Sequence, residues 1–124
     1  MRIYKTRHFD RWAKKSGLPD NSLIEAVKEI DKGLVDAYLG GPLIKKRVAV
    51  HGRGKRSGAR TIVATNFGEC CHFIYGFEKN EKANISGRDL ENLRAIASDL
   101  MKVTTDELSY LVAQGKMLEI KNEN

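Results

Sequence analysis

Residues that link a fold covalently or bind metals are scarce in this sequence. Among 124 residues there are two cysteines, three histidines and two prolines. Because Cys70 and Cys71 are adjacent, their side chains point to opposite faces of an extended strand, where a disulfide between them would be strained. Adjacent cysteines also match no zinc motif. We therefore predict free thiols in a reducing cytoplasm, and no metal or other cofactor.

Long apolar runs are missing as well. No stretch approaches the roughly 20 apolar residues that cross a bilayer, and the first residues lack the apolar core of a signal peptide, so we expect neither a membrane segment nor a leader. The composition, with 41% hydrophobic and 31% charged residues, is ordinary for a globular protein. A chain of this length holds one hydrophobic core, and we predict a single domain over residues 1–124.

Positive charge is concentrated in two parts of the chain, although the net charge is only +6. Residues 45–60 contain seven basic side chains and no acidic one, and residues 1–16 contain six basic side chains and one acidic one. Because like charges at this density repel one another, a folded protein tolerates them mainly where a polyanion binds. The alternative is a solvated basic surface that keeps the protein soluble.

Capping residues and hydrophobic spacing predict helices that begin at Thr6, Ser22, Ser86 and Thr104. The Ser22 helix is expected to end at Gly33, with Leu34 among its apolar residues. Strands are predicted over residues 3–5, 43–50, 61–65 and 70–77, the last two joined by a turn at residues 66–69. This order predicts an α+β domain: a strand and two helices, then an antiparallel sheet with helices on one face, then C-terminal helices.

The most informative stretch is the loop of residues 52–60, Gly-Arg-Gly-Lys-Arg-Ser-Gly-Ala-Arg. Its glycines allow the backbone to approach a bulky partner and turn N–H groups toward phosphate oxygens. It is not a Walker loop, because the glycine spacing and the Lys-Ser/Thr pair are absent. In the predicted hairpin, Tyr75 and Lys79 return beside Arg60 and Lys55. Cationic groups are therefore expected to converge at one end of the sheet.

The order of several short segments resembles that of the RelE/HigB superfamily of bacterial toxins from type II toxin–antitoxin modules, in the branch with a Gly-x-Gly-Lys loop. These segments are residues 5–13, 33–41, 44–48, 52–55, 58–64, 77–86 and 119–120. They span nearly the whole chain. The Lys-Ser-Gly-Gly usual in this loop is replaced by Lys-Arg-Ser-Gly at residues 55–58, which adds a charge and removes one glycine.

The resemblance implies a RelE-like fold and a ribosome-dependent, metal-independent endoribonuclease that cuts messenger RNA by attack of the ribose 2′-OH on the adjacent phosphorus. Arg60 and Lys79 are expected to stabilise the phosphate in the transition state, and Lys55 is a candidate general acid–base. His51 is a second candidate for proton transfer. Contacts to messenger or ribosomal phosphates are expected from the other basic residues of these segments: Lys46, Arg47, Arg53, Arg56 and Lys82.

The resemblance also implies a cognate antitoxin, often with a helix-turn-helix fold, besides the ribosome and messenger RNA. Three other functions stay open: a basic module that binds RNA or the ribosome without cutting, a gyrase-poisoning member of the superfamily, and an inactive toxin. We interpret Tyr75 and Phe77 as packing residues in preference to base-stacking ones. His8 and His72 show no spacing typical of a metal or catalytic site.

Overall fold

The computed structural model describes residues 1–50, 58–79 and 85–121. In chain order these residues form β1 (Arg2–Thr6), α1 (Arg7–Ser16), α2 (Asp20–Asp31), β2 (Ala37–Tyr38), β3 (Leu43–Val48), β4 (Ala59–Thr65), β5 (Cys70–Glu78), α3 (Gly87–Met101), α4 (Thr105–Ala113) and β6 (Met117–Ile120). Every predicted helix and strand is present. Strands β2 and β6 were not predicted. They are only two and four residues long, which is too short for an alternation of apolar and polar residues to be recognised. Within the described ranges, no helix is both long and apolar enough to cross a bilayer.

The six strands form one sheet in the order β2-β3-β4-β5-β1-β6. β1 runs parallel to β5, with Ile3 opposite Cys71, whereas the other neighbouring strands are antiparallel. The expected antiparallel sheet is therefore corrected to a mixed one. A hairpin turn would have forced β1 to run antiparallel to the next strand. Because β1 is followed by two helices instead, it can pair in parallel with β5, which lies far along the chain.

Helices cover both faces of the sheet, and the expectation of helices on one face is wrong. Ile44 and Phe73 pack with residues of α1 and α2 in one cluster. Leu43 and Ile74 pack with residues of α3 in another. Successive strand residues point to opposite faces, so apolar neighbours such as Leu43 and Ile44 need cover on both.

Side-chain caps confirm three of the four predicted helix starts. The hydroxyls of Thr6 and Ser86 each accept a hydrogen bond from the backbone N–H three residues further on. Thr104 forms a reciprocal capping box with Glu107. Each cap satisfies N–H groups that have no partner within the helix.

The second helix differs from its prediction at both ends. It begins at Asp20, after Pro19, and not at Ser22. The Asp20 carboxylate lies in the first turn, where the positive end of the helix dipole favours it. The helix ends at Asp31, and Gly33 takes a left-handed φ of 86°. Leu34 therefore lies outside the helix and is 55% exposed.

Gly76 on β5 provides the surface on which α1 packs. A Cβ added there would overlap the indole ring of Trp12, so this ring lies directly on the strand backbone. Replacing Gly76 with alanine is expected to lower the free energy of unfolding by about 1–3 kcal/mol, because the indole must leave a packed site. Chemical denaturation measures the change. Gly87→Ala is the matched control, since nothing lies within 4 Å of a Cβ there; equal losses in the two variants would contradict this account.

A buried ion network joins β1 to α1 and α2. Lys5 Nζ lies 2.6 Å from Asp10 Oδ1 and 2.8 Å from Asp20 Oδ1. Lys14 Nζ lies 3.1 Å from the second oxygen of Asp10. Burial opposes charge on Lys5, but hydrogen bonds to the two carboxylates raise its pKa above the ordinary value. Burial likewise opposes charge on Asp10, but its hydrogen bonds to Lys5 and Lys14 lower its pKa. Both groups are therefore charged at neutral pH.

Candidate active site

Basic side chains converge on one face of β3, β4 and β5, near the start of β4. Arg47 lies opposite Arg60, which in turn lies opposite Phe77. Residues directly opposite each other in antiparallel strands project on the same face of a sheet, so these three form one row. In the next row, Lys45 and Tyr75 lie on either side of β4. We call the surface formed by these five residues the cationic face.

A β-bulge places Tyr75 on this face. The β4–β5 register shifts between Ile62 and Val63, which leaves Ile74 as the additional residue of β5. In a regular strand, Phe73 and Tyr75 would share a face. With the additional residue, Phe73 packs in the core beneath α1, whereas Tyr75 lies on the side covered by α3. A bulge of this kind generally bends the strand that contains it.

Arg60 is the most buried cation of the cationic face. It is 8% exposed, and its Nη1 donates a hydrogen bond of 3.1 Å to the carbonyl oxygen of Gly58. A guanidinium stays protonated and presents planar donors that match two oxygens of a phosphate. Because Arg60 is held by the backbone and partly shielded from water, its charge acts more strongly on an anion than an exposed charge would.

Lys79 directly follows β5 and is exposed. Glu78 lies opposite Ala59, so Lys79 and Arg60 belong to the same end of the β4–β5 hairpin. The third expected catalytic residue, Lys55, is outside the described residues. The same holds for four other basic residues singled out in the sequence: His51, Arg53, Arg56 and Lys82.

Lys46 does not occupy the position expected of a phosphate contact. It is 4% exposed, and its Nζ lies 2.8 Å from Glu29 Oε1 and 2.9 Å from the carbonyl oxygen of Leu34, to which it donates a hydrogen bond. The alternation of the strand turns Lys46 toward α2 and turns Lys45 and Arg47 toward the cationic face. We therefore replace Lys46 with Lys45 in the set of expected contacts.

Arg47 is held at the edge of the cationic face by an acidic neighbour. Its Nε lies 3.8 Å from Asp36 Oδ1, and its backbone N–H donates a hydrogen bond of 2.6 Å to Asp36 Oδ2. About half of the Arg47 side chain stays exposed, at 46%. The acidic side chain thus orients the arginine while its guanidinium remains accessible to a ligand.

An aromatic stack that sequence reasoning missed borders the cationic face. The rings of His8 and Tyr75 are nearly parallel, at 6°, with centroids 5.8 Å apart. Phe77 lies next to Tyr75, at 6.3 Å. His8 stands at the start of α1, and the two rings meet only because β1 lies beside β5. No pattern in the sequence signals this contact. His8 is exposed and Tyr75 is half-buried, whereas Phe77 is buried and packs in the core on the α3 side. Partly exposed rings such as the first two can stack on nucleobases.

The two cysteines lie away from the cationic face and are buried free thiols. Burial raises the pKa of Cys70, and it raises the pKa of Cys71 to about 11. Both thiols are therefore protonated at neutral pH and poor nucleophiles. Within the described ranges, no group of three His, Cys, Asp or Glu side chains could hold a metal ion.

His72 is fully buried and stacks on Tyr4 at 5.1 Å. Burial, with a smaller effect from Arg2, lowers the pKa of His72 from 6.5 to about 4. Between these two pH values the unfolded chain binds a proton that the folded protein excludes. We expect the free energy of unfolding to fall by about 1.4 kcal/mol per pH unit as the pH drops through this window. Urea titrations between pH 7 and 4 measure the slope. If a His72→Phe variant showed the same slope as the wild type, the pH dependence of the free energy of unfolding would come from groups other than His72.

The described residues thus form an α+β domain with a mixed sheet and a cationic face bordered by aromatic rings. The family model described as the RelE toxin of the RelE/RelB toxin–antitoxin system matches residues 1–120. The chain therefore belongs to the RelE toxin family, and the predicted RelE-like α+β fold is confirmed. The family implies a cognate antitoxin as partner. No curated protein matches the chain. Assignment to the Gly-x-Gly-Lys branch stays a prediction.

Proposed function

We propose that this RelE-family toxin is an endoribonuclease that cuts messenger RNA in the translating ribosome, in the cytoplasm and without a metal ion. The observation that carries the proposal is the row of Arg47 and Arg60 across β3 and β4, bordered by Tyr75. Arginine forks bind phosphates, and aromatic rings stack on unpaired bases. This combination suits single-stranded RNA.

The proposed reaction is a transesterification within the RNA strand. The ribose 2′ oxygen bonds to the adjacent phosphorus, and the bond from phosphorus to the 5′ oxygen breaks. A base accepts the 2′ proton, and an acid delivers a proton to the leaving 5′ oxygen. Negative charge on the non-bridging oxygens is largest in the transition state. Fixed cations beside those oxygens therefore lower the barrier.

Arg60 and Lys79 are proposed to hold the scissile phosphate. Arg60 is oriented in advance by its bond to Gly58, so little reorganisation is needed when charge develops. Lys79 is exposed at the same end of the hairpin and can follow the phosphate. Lys55 is proposed as the acid–base residue. The ribosome supplies the remaining orientation of the nucleotide, which explains how a small protein could work without a deep pocket.

The other basic residues are proposed to contact flanking phosphates. Among the described residues these are Lys45 and Arg47, both on the cationic face. The remaining proposed contacts are Arg53, Arg56 and Lys82. Each contact should add to the salt dependence of RNA binding, because it releases counterions from the RNA backbone.

Primer extension on a defined message tests the function. The toxin is added to translating ribosomes, and to the same message without ribosomes. We expect discrete 5′ ends only in the translating sample. Arrest of translation with an intact message would identify a binder that does not cut. Inhibited supercoiling by purified gyrase would identify the gyrase-poisoning branch, and normal growth on induction would identify an inactive toxin.

The cognate antitoxin is proposed to be of the helix-turn-helix type. If it covers the cationic face, its contact residues should be acidic, and the affinity of the complex should fall as salt rises. A complex whose affinity does not change with salt would show that the antitoxin binds elsewhere.

A further inference from the structure

His8 is the outer ring of the aromatic stack beside the cationic face. Its imidazole lies parallel to the Tyr75 ring, with centroids 5.8 Å apart, which is the range of an offset stack. Phe77 is buried, and Tyr75 is half-buried with His8 stacked on it. Only His8 among these three rings is exposed, so it offers a ligand the most surface. The proposed function gives His8 no role.

The start of α1 holds His8 in a fixed position. Thr6 caps the helix by accepting a hydrogen bond from the backbone N–H of Phe9, and the Phe9 side chain is fully buried. One turn after His8, the indole of Trp12 lies on the backbone of Gly76. His8 therefore stands between a capped helix end and two packed rings. A ligand that stacks on the imidazole meets a residue whose backbone is already in place, which lowers the entropy lost on binding.

The stack lies beside the arginine proposed to hold the scissile phosphate. Phe77 is opposite Arg60, and Tyr75 stands two residues before Phe77 on β5, on the same face of the sheet. Tyr75 is therefore a diagonal neighbour of Arg60, at about 7–8 Å. Within one nucleotide the ribose separates the phosphate from the base. A nucleotide whose phosphate lies at Arg60 can thus place its base at the stack.

We propose that His8 is the residue on which a base of single-stranded RNA stacks, next to the phosphate held by Arg60. This inference rests on the proposed function and adds the contact that positions the base. The base lies on the outer side of His8, so the base, the imidazole and the Tyr75 ring form three layers. Every base has a flat face, but a purine covers more of the imidazole than a pyrimidine does. We therefore expect a mild preference for a purine at this position.

A fluorescence titration with the full 124-residue chain tests the stack. The probe is an RNA of about five nucleotides, with 2-aminopurine at its centre between uridines, in low salt, where phosphate contacts are strongest. Each 2′ oxygen carries a methyl group, so the probe cannot be cut. Stacking on an aromatic ring quenches the fluorescence of 2-aminopurine. We expect saturable quenching by the wild type, and its absence would overturn the proposal.

Three variants assign the quenching to the ring of residue 8. His8→Ala should bind the probe about tenfold more weakly and lose most of the quenching. His8→Phe keeps an aromatic face and should bind within about twofold of the wild type. Tyr110→Ala is the matched control, because it removes a ring on α4 that is 62% exposed, and it should leave the affinity unchanged. Binding of His8→Phe as weak as that of His8→Ala would contradict stacking.

An abasic nucleotide at the centre of the probe gives a second measure, by competition. Removing the base should weaken binding to the wild type about tenfold. The same change should weaken binding to His8→Ala less than about twofold, because the contact is already lost. Equal losses in the two proteins would show that the base binds elsewhere and would overturn the proposal.

Cleavage of an unmodified message on translating ribosomes separates this inference from the proposed function. If the wild type binds the probe through His8 but leaves the message intact, the proposed function is wrong and the stacking role stands. If the wild type cuts the message and His8→Ala keeps both affinity and quenching, the stacking role is wrong and the proposed function stands. If His8→Phe keeps the affinity but loses cleavage, His8 transfers a proton, and a role in stacking alone is wrong.

Discussion

Replacing Arg60 with alanine is expected to lower the rate of message cleavage by about a hundredfold to a thousandfold. This is the usual cost of removing one fixed donor from the charge that develops in a transition state. Arg60 is expected to reach this range because it is 8% exposed and oriented by the carbonyl of Gly58. The measurement is single-turnover cleavage on programmed ribosomes.

Three controls make the Arg60 result interpretable. Arg88→Ala removes an exposed arginine on α3 and should leave the rate unchanged. Arg60→Lys keeps the charge without the planar fork and should fall between alanine and the wild type. Lys79→Ala should slow cleavage without changing the free energy of unfolding, because Lys79 is exposed. If a folded Arg60→Ala variant cleaved the message at the wild-type rate, the proposed role of Arg60 in catalysis would be wrong.

Asp10→Ala is expected to lower the free energy of unfolding by about 3–5 kcal/mol, enough to unfold much of a marginally stable domain. The reason is that Lys5 and Asp10 are both buried, with Nζ and Oδ1 2.6 Å apart. Removing the carboxylate leaves the Lys5 ammonium buried, and among the residues that the structure describes its remaining ion pair is with the half-exposed Asp20. Thermal and urea denaturation measure the loss.

Asp20→Ala is the matched control, because its carboxylate binds the same Lys5 Nζ but is 52% exposed. We expect a loss below about 1 kcal/mol, since water replaces much of this contact. A double variant Lys5→Met, Asp10→Leu should recover most of the stability lost in Asp10→Ala, because no buried charge remains. If it is as unstable as Asp10→Ala, packing and not charge explains the loss.

Much of the fold follows from short-range patterns. The caps at Thr6, Ser86 and Thr104 are local, since each side chain reaches only three residues along the chain. The turn at residues 66–69 fixes the β4–β5 hairpin for the same reason. The parallel pairing of β1 with β5 could not be predicted, because nothing in β1 encodes which distant strand will lie beside it.

The candidate site shows the same division. The density of positive charge in residues 45–60 favours a polyanionic ligand, but it does not indicate which of the lysine side chains would face that ligand. Leu43 and Ile44 are both apolar, so the hydrophobic pattern of β3 allows either face, and only the register turns Lys45 outward and Lys46 toward Glu29. The stack of His8 on Tyr75 joins residues from opposite halves of the chain.

By itself the sequence determined what can be set by neighbours: the helix caps, the hairpin, the basic composition and the family to which the chain belongs. The tertiary structure decided what depends on distant partners: the mixed sheet, the bulge that turns Tyr75 away from Phe73, and the burial of Lys46. The physical reason is that a strand has two faces and two edges. Which of them meets the core, a ligand or another strand is settled only when the sheet assembles.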